Sequence, residues 1–185
     1  MKITQDFVVS RSPDAVWQFF QDVPAVAQCL PGAQLAGQSE DGGYEGQLSV
    51  KLGPMTAAFE GNCFVMPDPN TRTAVIEGRG VDKRGGSRGQ VRVAYSVAPS
   101  ESGECKVTVD ADITLSGPAA QFGRTGLINE MSKRLIGDFI NCLEAKLAAT
   151  TELEAEAIRA PEGRGISLLF SSLWARIKRF FRRGS

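Results

Sequence analysis

Between Cys105 and Leu115 the chain alternates without a break. Cys105, Val107, Val109, Ala111, Ile113 and Leu115 take one face, and Lys106, Thr108, Asp110, Asp112 and Thr114 the other. That period of two, apolar on one side and wet on the other, is the pattern of a strand in an antiparallel sheet. Such a sheet needs a second layer over its apolar face. The chain supplies one next. From Ser116-Gly117-Pro118 onward the period becomes helical, and Ile128, Met131, Leu135, Phe139, Cys142 and Leu143 fall on one side. This predicts a helix of roughly 30 residues, the one element long enough to cover the sheet. Gly123, Gly126 and Gly137 interrupt it, each costing up to about 1 kcal/mol, and are expected to make room for a strand, a loop or a ligand.

The preceding residues fill in the sheet. Lys2 to Ser10 reads as a strand, with Val8 out of step. Ser12-Pro13-Asp14 is an N-cap, a proline at the first helical position and an acid in the first turn. A short helix carrying Val16, Trp17, Phe19 and Phe20 follows, then a second over Val23 to Leu30, stopped by Pro31-Gly32. Strands are expected from Tyr44 to Leu52, Met55 to Met66, Thr71 to Gly80 and Gly89 to Ala98, with a turn at Gly53-Pro54 and a glycine-rich loop from Arg84 to Gly89. The fold class is α+β: a curved antiparallel sheet of about seven strands gripping a long C-terminal helix. A cleft between sheet and helix is the natural place for an apolar ligand.

The 185 residues include no histidine, which removes the Ser-His-Asp triad, the Cys-His dyad and His-ligated metals. Cys29, Cys63, Cys105 and Cys142 form no CxxC pair. MKITQD is no signal peptide, so reduced thiols in a cytoplasmic protein are expected, packing rather than reacting. Asp110 and Asp112 share a strand face with Lys106, Thr108 and Thr114, a wet face rather than an acid–base pair. No catalytic residue and no metal site is assigned, and no covalent or metallic cofactor is expected.

Several stretches, in order, carry a resemblance over about residues 2–148. They are Val23-Pro24 with Cys29-Leu30-Pro31-Gly32, Gly43-Tyr44 with Gly46, Leu52-Gly53-Pro54-Met55 with Phe59-Glu60-Gly61, Gly78 with Gly80, the glycines of 85–89, and Gln121-Phe122-Gly123-Arg124 with Gly126-Leu127-Ile128. The chain resembles the family of the carbon monoxide dehydrogenase subunit CoxG, within the START-like (SRPBCC), helix-grip superfamily. The resemblance implies a helix-grip domain with an internal cavity, in the service of a molybdenum hydroxylase of the CO dehydrogenase type. Members are described as accessory proteins that bring the enzyme to the cytoplasmic membrane, and the wider superfamily binds lipids, polyketides and other hydrophobic molecules. It supplies no catalytic motif.

The net charge is zero, but six of the 21 basic residues lie within 164–185, which leaves residues 1–163 at −6. The expected organisation is a domain over 1–149, an acidic linker over 150–164 and a basic amphipathic tail over 165–185. Wound as a helix, the tail gathers Leu169, Phe170, Leu173, Trp174, Ile177, Phe180 and Phe181 with Ile166 into an arc of roughly 140°. Arg176, Lys178, Arg179, Arg182 and Arg183 take the rest of the circle. Its apolar runs are far short of the ~20 residues that span a bilayer. An interfacial helix on an anionic membrane surface is the expectation, with a partner protein's groove or the chain's own domain as the alternatives. Eight apolar residues on one face argue against a nucleic-acid tail.

Phe59, Tyr95, Phe122, Leu127, Met131 and Leu135 are the candidate cleft residues. Tyr95 would offer a hydroxyl in an apolar wall, and Met131 an adaptable one. The expected ligand is a hydrophobic small molecule, a respiratory quinone or a lipid. Three functions follow: a ligand-binding accessory protein peripheral to the inner membrane face, a recruitment or assembly factor without ligand, or a small enzyme of the same superfamily.

Overall fold

The computed structural model describes residues 1–52, 55–124 and 127–161. The expected turn at Gly53-Pro54, Gly126, the end of the linker and the whole amphipathic tail lie outside the described residues.

Seven strands form one antiparallel sheet in the order β1-β7-β6-β5-β4-β3-β2. They are β1 (Lys2–Val9), β2 (Ala33–Gln38), β3 (Tyr44–Leu52), β4 (Met55–Asp68), β5 (Thr73–Asp82), β6 (Ser87–Pro99) and β7 (Cys105–Ser116). Apart from the β7–β1 pairing, neighbours in the sheet are neighbours in sequence, so hairpins build it. The helices α1 (Pro13–Gln21) and α2 (Val23–Cys29) intervene between β1 and β2. The Ser12 side chain caps α1 at Ala15 N, and Pro13 opens the helix, as the sequence predicts. Strand β2 is the one that periodicity does not reveal: Ala33–Gln38 is short, glycine-interrupted and exposed along most of its length.

The long helix starts later than expected. Residues Gly117–Arg124 form a 3-10 helix, and α3 runs over Leu127–Ala148, 22 residues. Gly117 has φ +72°, and a Cβ there would stand 2.5 Å from the Gly86 carbonyl oxygen. The chain therefore leaves β7 through a left-handed residue packed on the β5–β6 hairpin, which an α-helix cannot do. The buried Ser87 Oγ then accepts from Ala119 N at 3.0 Å, docking the 3-10 segment on that hairpin. Nothing lies within 4 Å of a Cβ built on Gly137, so that glycine makes room for no neighbour.

The acidic linker is partly folded. Thr151 caps a short helix α4 (Glu152–Ala157), and Ala160 is buried. Glu152, Glu154 and Glu156 face water, which is why the composition reads as a linker.

Candidate functional site

Two apolar clusters sit on the concave face of the sheet, one at each end. The first joins Val9, Val16, Phe20, Cys29, Ala74, Tyr95, Val97, Cys105, Val107, Phe139, Cys142 and Leu143. It fills the end where α1, α2 and the C-terminal half of α3 meet the sheet. The second is smaller. Ala57 and Ala119 are buried in it, with Val50, Met55, Phe59, Leu115, Phe122 and Met131 packed around them.

Outside the clusters, burial falls off along α3, β6 and β7. Along α3, Ile128 and Phe139 are buried while Met131 and Leu135 are only half-buried. Along β6, Tyr95 and Val97 are buried and Val91 and Val93 half-buried; along β7, Val107 is buried and Ala111 and Ile113 half-buried. Val91, Val93, Ala111, Ile113 and Leu135 belong to neither cluster. The register places Val91 opposite Gly78 and Ile113, and Val93 opposite Ile76 and Ala111. These half-buried apolar residues form one patch on the inner face of β6 and β7, with Gly78 and Cys63 beside it on β5 and β4. Glycines continue the floor toward β3, because Gly46, Gly61, Gly80 and Gly89 are successive cross-strand partners. Phe59 lies over Gly80 and Gly89, its ring carbons 3.5 Å from where a Gly89 Cβ would be.

The six sequence-predicted cleft residues separate. Phe59, Phe122 and Met131 come together in the second cluster, and Leu135 is half-buried and belongs to neither. Tyr95 sits in the other cluster, 8% exposed. Its ring is edge-on to Phe20 at 5.0 Å between centroids and tilted against Trp17 at 6.4 Å. Burial pushes its phenol up to about 12. The Leu127 side chain lies outside the described residues, as do Leu169, Phe170, Leu173, Trp174, Arg176, Ile177, Lys178, Arg179, Phe180, Phe181, Arg182 and Arg183. Val91 and Val93 were not among the sequence-predicted cleft residues. The alternation of β6 marks them as inward, but their incomplete burial shows only in the folded molecule.

The cysteines correct a second expectation. Cys29 and Cys142 are joined in a disulfide, with Cα atoms 5.3 Å apart and 113 residues between them in sequence. That Cα separation lies in the usual range for the bond. Spacing along the chain carries no trace of it, because α3 returns past the end of α2 only in the folded molecule. Cys63 and Cys105 are free, and burial raises both thiols, with Arg72 opposing the rise at Cys105. Both are held in the unreactive thiol form.

Asp110 and Asp112 occupy the wet face: Asp110 accepts from Thr4 at 2.6 Å, and Asp112 pairs with the Met1 amino group at 3.3 Å. The loop after β5 is a tight hairpin in which buried Asp82 accepts from the N–H groups of Arg84 and Gly85. Among the described residues, no group of three or more His, Cys, Asp or Glu side chains is placed to hold a metal ion. No helix among them is long and apolar enough to cross a membrane.

Solved structures place the fold. A conserved protein from Geobacillus kaustophilus superposes with a TM-score of 0.69 at 16% identity, covering 80% of this chain and 95% of that one. The Zhui aromatase/cyclase from Streptomyces sp. R1128 superposes at 0.54 and 13% identity, covering 80% and 93%. A protein from Thermus thermophilus does so at 0.54 and 12%, covering 82% and 100%. At these identities the likeness is one of fold, the helix-grip arrangement of a curved sheet around a C-terminal helix. No curated protein matches the chain in sequence. Residues 6–148 match a family model along nearly the whole folded region, and the chain belongs to the family of the carbon monoxide dehydrogenase subunit CoxG.

Proposed function

We propose that this protein is a non-catalytic accessory protein of a CO dehydrogenase-type molybdenum hydroxylase, and that it holds a hydrophobic molecule between sheet and helix. The observation that carries the ligand is the simultaneous loss of burial on α3, β6 and β7 around Leu135, Val91, Val93, Ala111 and Ile113. Protein interiors are close-packed, and an apolar gap in the middle of one is the usual form of a ligand site. The patch of Val91, Val93, Ala111 and Ile113 offers no charge, which suits an apolar ring. A respiratory quinone is the favoured occupant, since electrons from an oxidising hydroxylase have to reach the membrane.

The tail supplies the second half of the proposal. Its basic and apolar faces suit the anionic inner surface of the cytoplasmic membrane, at about 1 kcal/mol per basic residue near the surface. The protein would then be cytoplasmic and peripheral, and would move its ligand between bilayer and enzyme. In the competing reading the protein recruits or assembles the hydroxylase and carries nothing.

Two measurements on the full chain test this. Organic extraction of the purified protein, read by mass spectrometry, is expected to yield a quinone or another lipid. Sedimentation with phosphatidylglycerol vesicles is expected at low salt and to weaken at high salt. A full-length variant with Arg176, Lys178, Arg179, Arg182 and Arg183 changed to Glu is expected to stay in solution. An empty extract that added quinones do not fill leaves the recruitment reading. A wild-type chain that ignores the vesicles at low salt makes the tail a protein-binding helix.

A further inference from the structure

The Cys29–Cys142 bond sits inside a second set of links that join the same two helices to a third segment. Gln28 immediately precedes Cys29, and Lys146 lies one turn beyond Cys142 on α3. Lys146 Nζ donates to Gln28 Oε1 at 2.8 Å and to the Ala155 carbonyl at 2.5 Å. Ala160 N donates to the Gln28 carbonyl at 3.0 Å. One covalent bond and three hydrogen bonds therefore tie α2, α3 and residues 152–160 together at one point. Residues 152–160 are the stretch that leads into the basic tail.

This junction buries a charged group. Lys146 is 7% exposed, and among the described residues no carboxylate pairs with it. Burial depresses its pKa, Arg159 adds to that, and Asp22 and Glu156 oppose it. A buried ammonium held by two neutral acceptors persists only where the structure around it is enforced. Helix α2 has seven residues and α4 six, both too short to persist unless held by tertiary contacts. Val26 and Cys29 pack in the first cluster, and the disulfide adds a covalent link between the end of α2, next to Gln28, and α3.

We propose that Cys29–Cys142 is a redox clasp: oxidised, it keeps residues 152–160, the stretch that leads into the tail, on α2, and reduced, it lets them go. A dithiol reductant breaks the S–S bond. Its two electrons and two protons pass to the two sulfurs, leaving thiols on Cys29 and Cys142 and a disulfide on the reductant. Cys29 is 0% and Cys142 4% exposed, so exchange begins when α2 lifts. Once the bond is open, α2 drifts, Lys146 loses Gln28 and turns to water, and α4 loses its anchor. The clasp depends neither on the cleft's ligand nor on what the tail binds.

Hydrogen–deuterium exchange on the full chain, purified without reductant and compared with and without dithiothreitol, tests it. Alkylation of the unfolded chain is expected to find two thiols before reduction and four after. Peptides covering 23–30 and 149–161 are expected to exchange at least about tenfold faster once reduced, while β5 and β6 keep their protection. A full-length variant with Cys29→Ser and Cys142→Ser is expected to exchange like the reduced chain with or without dithiothreitol. Four thiols at the outset would overturn the proposal, as would equal exchange of 149–161 in both states. Protection lost evenly across β5 and β6 would make the bond a general staple, and a variant that still responds to dithiothreitol would assign the effect to Cys63 or Cys105. If that variant does not fold, the wild-type comparison decides by itself.

Discussion

Gly61 lies so close to β5 that a Cβ on it would collide with the carbonyl oxygen of Arg79. The neighbour is backbone and cannot turn aside. Gly61→Ala is therefore expected to destabilise the protein by about 1–3 kcal/mol, the usual cost of forcing extra atoms into a packed site. Gly137→Ala is expected to act in the opposite direction. That glycine is exposed in the middle of α3 with nothing within 4 Å of its Cβ position, so alanine gains helix propensity of up to about 1 kcal/mol. Urea denaturation of both variants against the wild type checks the pair, and equal effects of one sign would contradict it.

Leu135 is a half-buried side chain of α3 that belongs to neither cluster, and the proposed ligand would lie against it. Leu135→Trp would put a ring in the ligand's place. The fold is expected to keep its stability within about 1–2 kcal/mol, because the position is only half-buried, while ligand recovered by extraction falls by roughly tenfold or more. Full ligand recovery in a folded Leu135→Trp protein would move the site elsewhere.

Ser87 is fully buried and accepts the Ala119 N–H at 3.0 Å. Ser87→Ala leaves that N–H without its partner in the interior, at a cost of about 1–3 kcal/mol. The 3-10 segment also carries Phe122 into the second cluster, so a looser dock should show as faster exchange in 117–124. Unchanged stability together with unchanged exchange there would mean that the hydrogen bond contributes nothing.

Tyr95 sets a pH dependence. Its phenol ionises near 12 when folded and near 10 when unfolded, because burial opposes the charge. Between those values the folded state holds the proton that the unfolded state has lost, so stability declines as pH rises through this window and is intact below it. The decline attributable to Tyr95 is at most about 2–3 kcal/mol. Denaturation midpoints measured across that range should fall less steeply in Tyr95→Phe. An identical slope in the variant would assign the alkaline loss to other groups.

Periodicity reports local geometry, and the elements it governs are the ones legible from the chain. The alternation over Cys105–Leu115 is the inner and outer face of β7, and the Ser12-Pro13 pair opens α1 where a cap and a first-turn proline belong. The helical face from Ile128 to Leu143 is the buried face of α3. Side chains two apart on a strand or three and four apart on a helix share a face whatever the rest of the molecule does, so these assignments needed only neighbours in sequence. The 3-10 break at Gly117 did not follow, because it depends on Gly86 packing against it from another hairpin.

What the tertiary structure decided is how far along the sheet α3 lies. That offset brings Cys142 to Cys29 across 113 residues and Lys146 to Gln28. It sends Tyr95 to the aromatic cluster with Phe20 and leaves Leu135, Val91 and Val93 only half-buried. Apart from Gln28 and Lys146 these residues are apolar or inward by pattern, and pattern cannot tell which inward residue is covered. Coverage depends on a rigid-body relation between sheet and helix, summed over contacts remote in sequence. The sequence determined which faces turn inward, and the packing of one helix against the sheet decided where that interior closes and where it stays open.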